Sequence, residues 1–142
     1  MRLSSLADYA VVLLAATARR GGDARVTATV LAEETGLPLP TVQKLVSRLS
    51  AAALIETGRG SGGGFRLARA PHAIDLAQII EAIEGPIALT TCVDAARHDC
   101  AVETNCMIRP HAGTVNAVVR GALAGVTLAQ LANTGAMPQE VV

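Results

Sequence analysis

The stretch TATVLAEETGLPLPTVQKLVSRLSAAALIETGRGSGGGFRLAR, residues 27–69, decides the fold. Residues 27–35 place Val30 and Leu31 in a short helix that Gly36 stops. Leu37-Pro38-Leu39-Pro40 is a stiff entry. Proline is tolerated in the first turn of a helix, so a further helix is predicted from Pro40 or Thr41. Val42, Leu45, Val46, Leu49 and Ala53 form its apolar face. Thr41, Gln43, Lys44, Ser47 and Arg48 occupy the other face. The period then changes. Leu54-Ile55-Glu56-Thr57 and the alternating Phe65-Arg66-Leu67-Ala68-Arg69 read as two strands, joined by the glycine-rich turn of residues 58–64. A helix, a tight turn, a helix with a polar outer face and a hairpin behind it make a helix-turn-helix with a wing.

The flanks extend this unit. Leu6, Tyr9, Ala10, Leu13 and Leu14 predict a helix over 5–20, ended by Gly21-Gly22. Asp75 with Gln78 is a capping box for a helix carrying Leu76, Ile79, Ile80 and Ile83, closed by Gly85-Pro86. Residues 90–106 are loop-like and hold Cys92, Cys100 and Cys106. From Met107 to Leu123 the chain turns helical again, with Val115, Val118, Val119, Ala122 and Leu123 as its stripe. Thr127 to Gln130 caps a short last helix, and the tail from Asn133 reads as frayed. The expected class is mainly α with a small β-hairpin wing. The expected division is a winged helix-turn-helix over 1–84, a cysteine-bearing loop over 85–106, and a long helix with its tail over 107–142.

Composition narrows the function. The chain has 142 residues, the size of one domain, with 51% hydrophobic and 17% charged residues, which excludes a disordered chain. No apolar run reaches the roughly 18 residues of a membrane span. The opening residues lack the charged-then-apolar pattern of an export signal, and three cysteines are an odd count for a disulfide framework. The expected location is therefore the reducing cytoplasm. The net charge is zero, but unevenly spread. Residues 1–70 carry nine basic and five acidic side chains, a net +4, and residues 71–142 carry three and seven, a net −4. Only the first half is suited to a polyanion. Tyr9 and Phe65 are the only aromatics, which argues against binding single strands by base stacking. Duplex DNA needs cations on phosphates and one helix in a groove, and those are present.

Thr41, Gln43 and Lys44 stand at the end of the polar-faced helix that reaches base edges. Arg48, one turn on, suits a phosphate or a flanking base. The wing tip holds Arg59 among glycines, including Gly62 and Gly63, which let a backbone approach a phosphate or a narrow groove. Cys92, Cys100 and Cys106 form C-x7-C-x5-C. Thiolates are soft ligands for iron–sulfur clusters or zinc, and zinc sites favour closer pairs. Three thiolates leave one coordination position open. His98 and His111 are near in sequence, and Asp8 is a further candidate if a second subunit brings it close. A reversible thiol/disulfide switch or a zinc site is the alternative. An enzyme is not expected: no His–Asp pair sits at a telling spacing and no phosphate loop precedes a helix.

Several segments together resemble the Rrf-two family of winged-helix regulators, the IscR- and NsrR-like proteins. They are Met1-Arg2-Leu3-Ser4 with Asp8-Tyr9-Ala10, Leu45-Val46-Ser47-Arg48-Leu49, Arg59-Gly60-Ser61-Gly62-Gly63-Gly64-Phe65, and the three-cysteine loop before a long helix. Arg109-Pro110-His111 and Val126-Thr127-Leu128 look most like the branch that controls SUF-type iron–sulfur assembly genes. The resemblance implies a homodimer whose long helix is the dimerisation element, bound to a palindromic promoter operator. It implies that Arg2 and Ser4 join the DNA-contacting set. It also implies a 2Fe–2S or 4Fe–4S cluster on the cysteines, sensing cluster supply, redox state or nitric oxide. Asp8 matches the non-cysteine ligand of the nitric-oxide-sensing branch. In the IscR branch a histidine follows the last cysteine by three residues; here that residue is Arg109, leaving His111 as the substitute. The first cysteine gap, x7, also departs from the x5 of the better-known branches.

Overall fold

Each helix start in this chain has a local chemical reason. In a computed structural model, which describes residues 2–21, 24–58, 63–90, 92–94 and 107–133, α1 spans Ser5–Arg19 and the Ser4 hydroxyl accepts from the Ala7 amide at 3.1 Å. α2 is Ala28–Thr35, capped by the Thr27 hydroxyl and ended by Gly36 at φ 77°. α3 is Leu39–Ala51, one residue ahead of the predicted start, with Pro40 in its first turn. Its Val42, Leu45 and Leu49 are fully buried. Ala53 then turns the chain out of α3 at φ 59°, a left-handed conformation uncommon for a residue with a Cβ.

The wing is the antiparallel pair β1 (Ile55–Thr57) and β2 (Phe65–Leu67), in register Ile55↔Leu67, Glu56↔Arg66 and Thr57↔Phe65. Both strands are shorter than the sequence pattern suggests. On its other side β2 is bridged by Val26, whose N–H and C=O exchange bonds of 2.9 and 2.8 Å with Phe65. This third rung was not legible in the sequence, because a single residue has no period. It requires Gly64, at φ 85°: a Cβ there would sit 2.7 Å from the Val26 carbonyl oxygen. Phe65 is thereby held in the core at 1% exposure.

A 3₁₀ turn at Pro71–Ala73 leads into α4, Leu76–Glu84, and the predicted Asp75/Gln78 capping box is present. α5 runs Arg109–Ala124 with Pro110 in its first turn, so Met107 lies outside it and is 90% exposed. α6 is Leu128–Ala132, with the Thr127/Gln130 capping box. The two boxes lie side by side. Asp75 and Thr127 form a bridge, with Leu76 N–H to Val126 O at 2.9 Å and Leu128 N–H to Ile74 O at 2.8 Å.

α1 is the axis of the core and packs against α2, α3, α4, α6 and β2. Ala7, Ala10, Leu13 and Leu14 are its buried contacts, and they meet Leu31, Leu45, Phe65, Ile79 and Leu128 in one cluster. α6 therefore shares the core of the first 84 residues. The Arg19 guanidinium reinforces this by donating to the Ala132 carbonyl at 3.0 Å. Among the described residues, no helix is long and apolar enough to cross a membrane.

Because Leu128 is buried at 0% exposure beneath α1, Leu128→Ala should destabilise the whole winged unit by about 2–5 kcal/mol. Denaturant unfolding followed through the far-ultraviolet signal checks this. An unchanged midpoint would mean that α6 is not part of the folding unit.

Candidate nucleic-acid interface and cysteine segment

The burial of Val42, Leu45 and Leu49 fixes the rotation of α3 about its axis. Gln43, Lys44 and Ser47 are consequently exposed together, three and four residues apart, while Thr41 is half-buried at the edge of that face. No side chain caps the α3 N-terminus, where Pro38 stands at the N-cap. Arg48 is exposed but engaged: one guanidinium nitrogen donates to the Ile83 carbonyl at 3.1 Å, tying α3 to the last turn of α4. Gly63 is half-buried at the root of the wing, whereas Arg59 and Gly62 lie outside the described residues.

Much of the basic charge is already paired. Arg20 meets Glu34 at 2.7 Å, Arg66 meets Glu56 across the wing at 3.2 Å, and Arg69 donates to Gln78 and the Ala73 carbonyl. Among the described basic residues, Arg19, Arg48 and Arg69 bond carbonyls or Gln78, and Arg2, Arg25 and Lys44 hold neither these nor a carboxylate. Arg25 was not picked out by sequence reasoning. Its guanidinium lies over Gly58, where a Cβ would collide with it, and so stands at the wing root. The Val26–Phe65 bridge brings position 25 there.

The N-terminal candidates stand elsewhere. The Ser4 amide donates to Glu84 Oε1 at 2.8 Å, joining the start of α1 to the end of α4. Arg2 lines a half-open cleft of about 630 Å³ beside Ile80, Glu84, Ile87, Val118 and Ala122.

α5 carries two apolar seams about a quarter-turn apart. Ala112, Asn116, Val119 and Leu123 are buried or half-buried on the α4 side. Ile108, His111, Val115, Val118 and Ala122, alternately three and four residues apart, are exposed, Val118 at 67%. His111 thus stands in the outer seam, and Asp8 is exposed on α1. Cys92 is half-buried in a turn, its sulfur 3.1 Å from the Thr90 hydroxyl. Cys100, Cys106 and His98 lie outside the described residues. Among the described residues, no three potential metal ligands stand together. Cys92 is a free thiol outside the apolar core, with a hydroxyl beside its sulfur, and so has the donor chemistry of a soft-metal ligand.

The segment before Cys92 is fastened to both neighbouring helices. Glu81 of α4 accepts the Ile87 amide at 3.1 Å and two guanidinium bonds from Arg120 of α5, at 3.0 and 2.6 Å. Asn116 of α5 bonds the Ile87 carbonyl at 2.8 Å and the Leu89 amide at 2.9 Å. Partial burial alone would raise the Glu81 carboxyl, but the Arg120 bond, the Ile87 N–H and the Arg120 charge outweigh it and leave the carboxyl below its ordinary value. The Arg120 guanidinium is held above its own by the bond it donates to Glu81.

Comparison with known proteins agrees with the winged-helix fold. Residues 3–134 match the Rrf2 (Rrf-two) family, described as an iron-dependent transcriptional regulator. The HTH-type transcriptional regulator IscR of Photobacterium profundum is 30% identical over 131 residues, covering 92% of this chain and 75% of its own length. The IscR of Cereibacter sphaeroides is 36% identical over 86 residues, 59% of this chain and 56% of that protein. Among solved structures, CymR, the global cysteine regulator of B. subtilis, superposes with TM-score 0.70 at 26% identity, over 93% of this chain and 96% of that one. T. potens IscR superposes with TM-score 0.68 at 26% identity, over 99% and 94%. An oxidized form of Staphylococcus aureus CymR gives 0.69 at 25%, over 96% and 100%.

The depressed Glu81 carboxyl adds stability that is present above its unfolded-state value and is lost as the pH falls through the lower folded-state value. Acid unfolding of the wild type should therefore carry a Glu81 contribution below the usual glutamate range. Glu81→Gln should remove it, with the two pH profiles converging in acid. Parallel profiles at every pH would contradict the pairing with Arg120.

Proposed function

The chain belongs to the Rrf2 family of DNA-binding transcriptional regulators and is not an enzyme, and on that premise we propose that it is a homodimer whose hold on a palindromic promoter operator depends on an iron–sulfur cluster carried by Cys92, Cys100 and Cys106. The observation that carries this reading is the position of the Cys92 turn. It lies between α4 and α5, on a segment bonded to α5, and α5 presents an exposed apolar seam of the spacing that a two-fold mate would cover. A change at the thiols therefore acts on the element that sets the distance between two α3 helices.

When bound, a 2Fe–2S or 4Fe–4S cluster supplies a centre that responds to iron supply, redox state or nitric oxide. The three thiolates leave one position for a further ligand. Asp8 and His111 are both exposed, on α1 and in the outer seam of α5, where a partner protomer could supply either one. Control of iron–sulfur assembly genes is the role that the resemblance of Arg109-Pro110-His111 and Val126-Thr127-Leu128 implies.

On the DNA side, Gln43 enters the major groove from α3, Lys44 beside it meets the phosphates that border the groove, and Thr41 stands at the edge of the reading face. Arg25 adds a cation at the wing root, and Arg59, Gly62 and Gly63 follow the adjacent backbone. Arg48 supports α3 through Ile83 and presents its remaining donors to a phosphate. Arg2 and Ser4 are held at the junction of α1 with the end of α4, next to the Ile83 carbonyl that Arg48 bonds, and would meet the flanking backbone from there. The site of action is the cytoplasm.

A second reading has one observation in its favour: CymR of Staphylococcus aureus, a structural relative, was solved in an oxidized form. The three cysteines would then act as a thiol/disulfide switch, or hold zinc, without a cluster. Protein purified without oxygen separates the two. Brown protein with matching iron and acid-labile sulfide is expected; a colourless protein lacking sulfide under all growth conditions would overturn the cluster.

Two substitutions test the DNA face by fluorescence anisotropy. Lys44→Ala removes one cation from each protomer of the dimer, so it should weaken all sequences alike and flatten the slope of log affinity against log salt by about 1.8. Gln43→Ala should cost about 1–3 kcal/mol at one base-pair position and little elsewhere. A uniform loss for Gln43→Ala would remove it from base reading.

A further inference from the structure

Residues 85–90 are neither helix nor strand, yet Ile87 and Ala88 are half-buried between α4 and α5. Buried backbone groups need partners, and here side chains supply them. The Asn116 amide does so twice: its Nδ2 donates to the Ile87 carbonyl at 2.8 Å, and its Oδ1 accepts the Leu89 amide at 2.9 Å. Asn116 is only 8% exposed. A carboxamide has a donor and an acceptor spaced like those of a peptide group, so Asn116 takes the place of a neighbouring strand.

The bonds continue toward the cysteine. Thr90 follows Leu89, its hydroxyl lies 3.1 Å from Cys92 Sγ, and its carbonyl accepts the Val93 amide at 3.2 Å. A short series of contacts therefore runs from the Cys92 sulfur through Thr90 and Leu89 to the middle of α5. Nothing in this series is a flexible charged side chain. Each step is a backbone group or a short side chain, so displacement at one end is felt at the other.

Resting on the reading of Cys92 as a cluster ligand, we propose that Asn116 is the positioning residue that couples ligation at Cys92 to the placement of α5, and so to the spacing of the two reading helices. Ligation takes the proton from the Cys92 sulfur, so that the Thr90 hydroxyl can only donate to it, and this fixes the Thr90–Val93 turn. The backbone at Leu89 follows that turn. Asn116 must follow in turn, because both ends of its amide are committed to Ile87 and Leu89. The Glu81–Arg120 pair, one turn along α5, keeps the helix seated on α4 meanwhile.

The test uses the full chain, wild type and Asn116→Ala, prepared without oxygen. Affinity for promoter DNA selected by the wild type is measured with and without cluster. Iron and sulfide per chain, and hydrogen exchange of the Leu89 amide, are measured alongside. In the wild type the two affinities should differ by roughly 5- to 150-fold, and in Asn116→Ala by less than about twofold. Cluster content and cluster-free affinity should stay the same, and the Leu89 amide should exchange faster. A variant ratio equal to that of the wild type overturns the role of Asn116. So does an equal loss of affinity in both states, which is what a purely structural residue would give. Wild-type affinities that do not differ with the cluster instead overturn the underlying cluster switch. If Asn116→Ala fails to fold, Asn116→Ser carries the same measurement. Its hydroxyl reaches at most one of the two backbone groups, so the expected ratio lies between the two limits.

Discussion

The return of α6 to the core governs everything built outside that core. Leu128 is fully buried in the cluster that α1 organises, and Thr127 bridges to Asp75 beside it. The chain therefore leaves the winged-helix unit at Gly85 and has to be back at Val126. α5 can satisfy that only by running antiparallel to α4. The bonds show this order: Ile87 meets Asn116, Glu81 meets Arg120, and Leu76 meets Val126. The long helix and the cysteine segment form a loop pinned at both ends, and a movement at one part cannot dissipate into a free tail. Pinning of this kind makes a small local event visible at a distance, because packed contacts have few alternative arrangements.

The same constraint divides α5 between two tasks. A helix that packed on α4 with its entire apolar surface would have nothing left for a partner. Here Ala112, Val119 and Leu123 serve α4 while Ile108, Val115 and Val118 point away. The inner seam is mixed, with the small Ala112 ahead of the branched Val119 and Leu123. Branched residues dominate the outer one. The polar Asn116 in the inner seam is the exception. It is placed where the neighbouring surface is backbone rather than side chain, so its two hydrogen-bonding groups are both used.

Electrostatics separates structural from available charge more sharply than composition does. The first half carries a net +4, but Arg20 and Arg66 are paired with carboxylates and Arg69 is turned onto Gln78 and a carbonyl. The charge that faces outward without a carboxylate includes Lys44 on α3 and Arg25 at the wing root. These stand on the two features that a winged helix presents to a duplex. The zero net charge of the chain is thus no obstacle to binding DNA, since the described acids of the second half, Asp75, Glu81, Glu84 and Asp94, stand from the N-cap of α4 onward and not on α3 or the wing.

Local signals in the sequence were enough for the order of elements. Gly36, Pro40, the Asp75 and Thr127 capping boxes, and the switch from helical to alternating period all act within one or two turns, and each stands where it was read. The rotation of α3 followed from its apolar stripe, which is why Gln43 and Lys44 could be picked out as outward residues. The relation of Val26 to Phe65, and with it Arg25 at the wing, could not be read, because it is a pairing across nearly forty residues that leaves no local period. Nor could the sequence show that Arg48 turns back onto Ile83, or that Asn116 holds the segment before Cys92. Sequence alone determined which residues form helices and which face of each is apolar, since those depend on neighbours three and four positions away. Tertiary structure decided which polar groups are spent on the fold and which remain for a partner, since that depends on what the rest of the chain brings within 3 Å or so of a hydrogen-bonding atom.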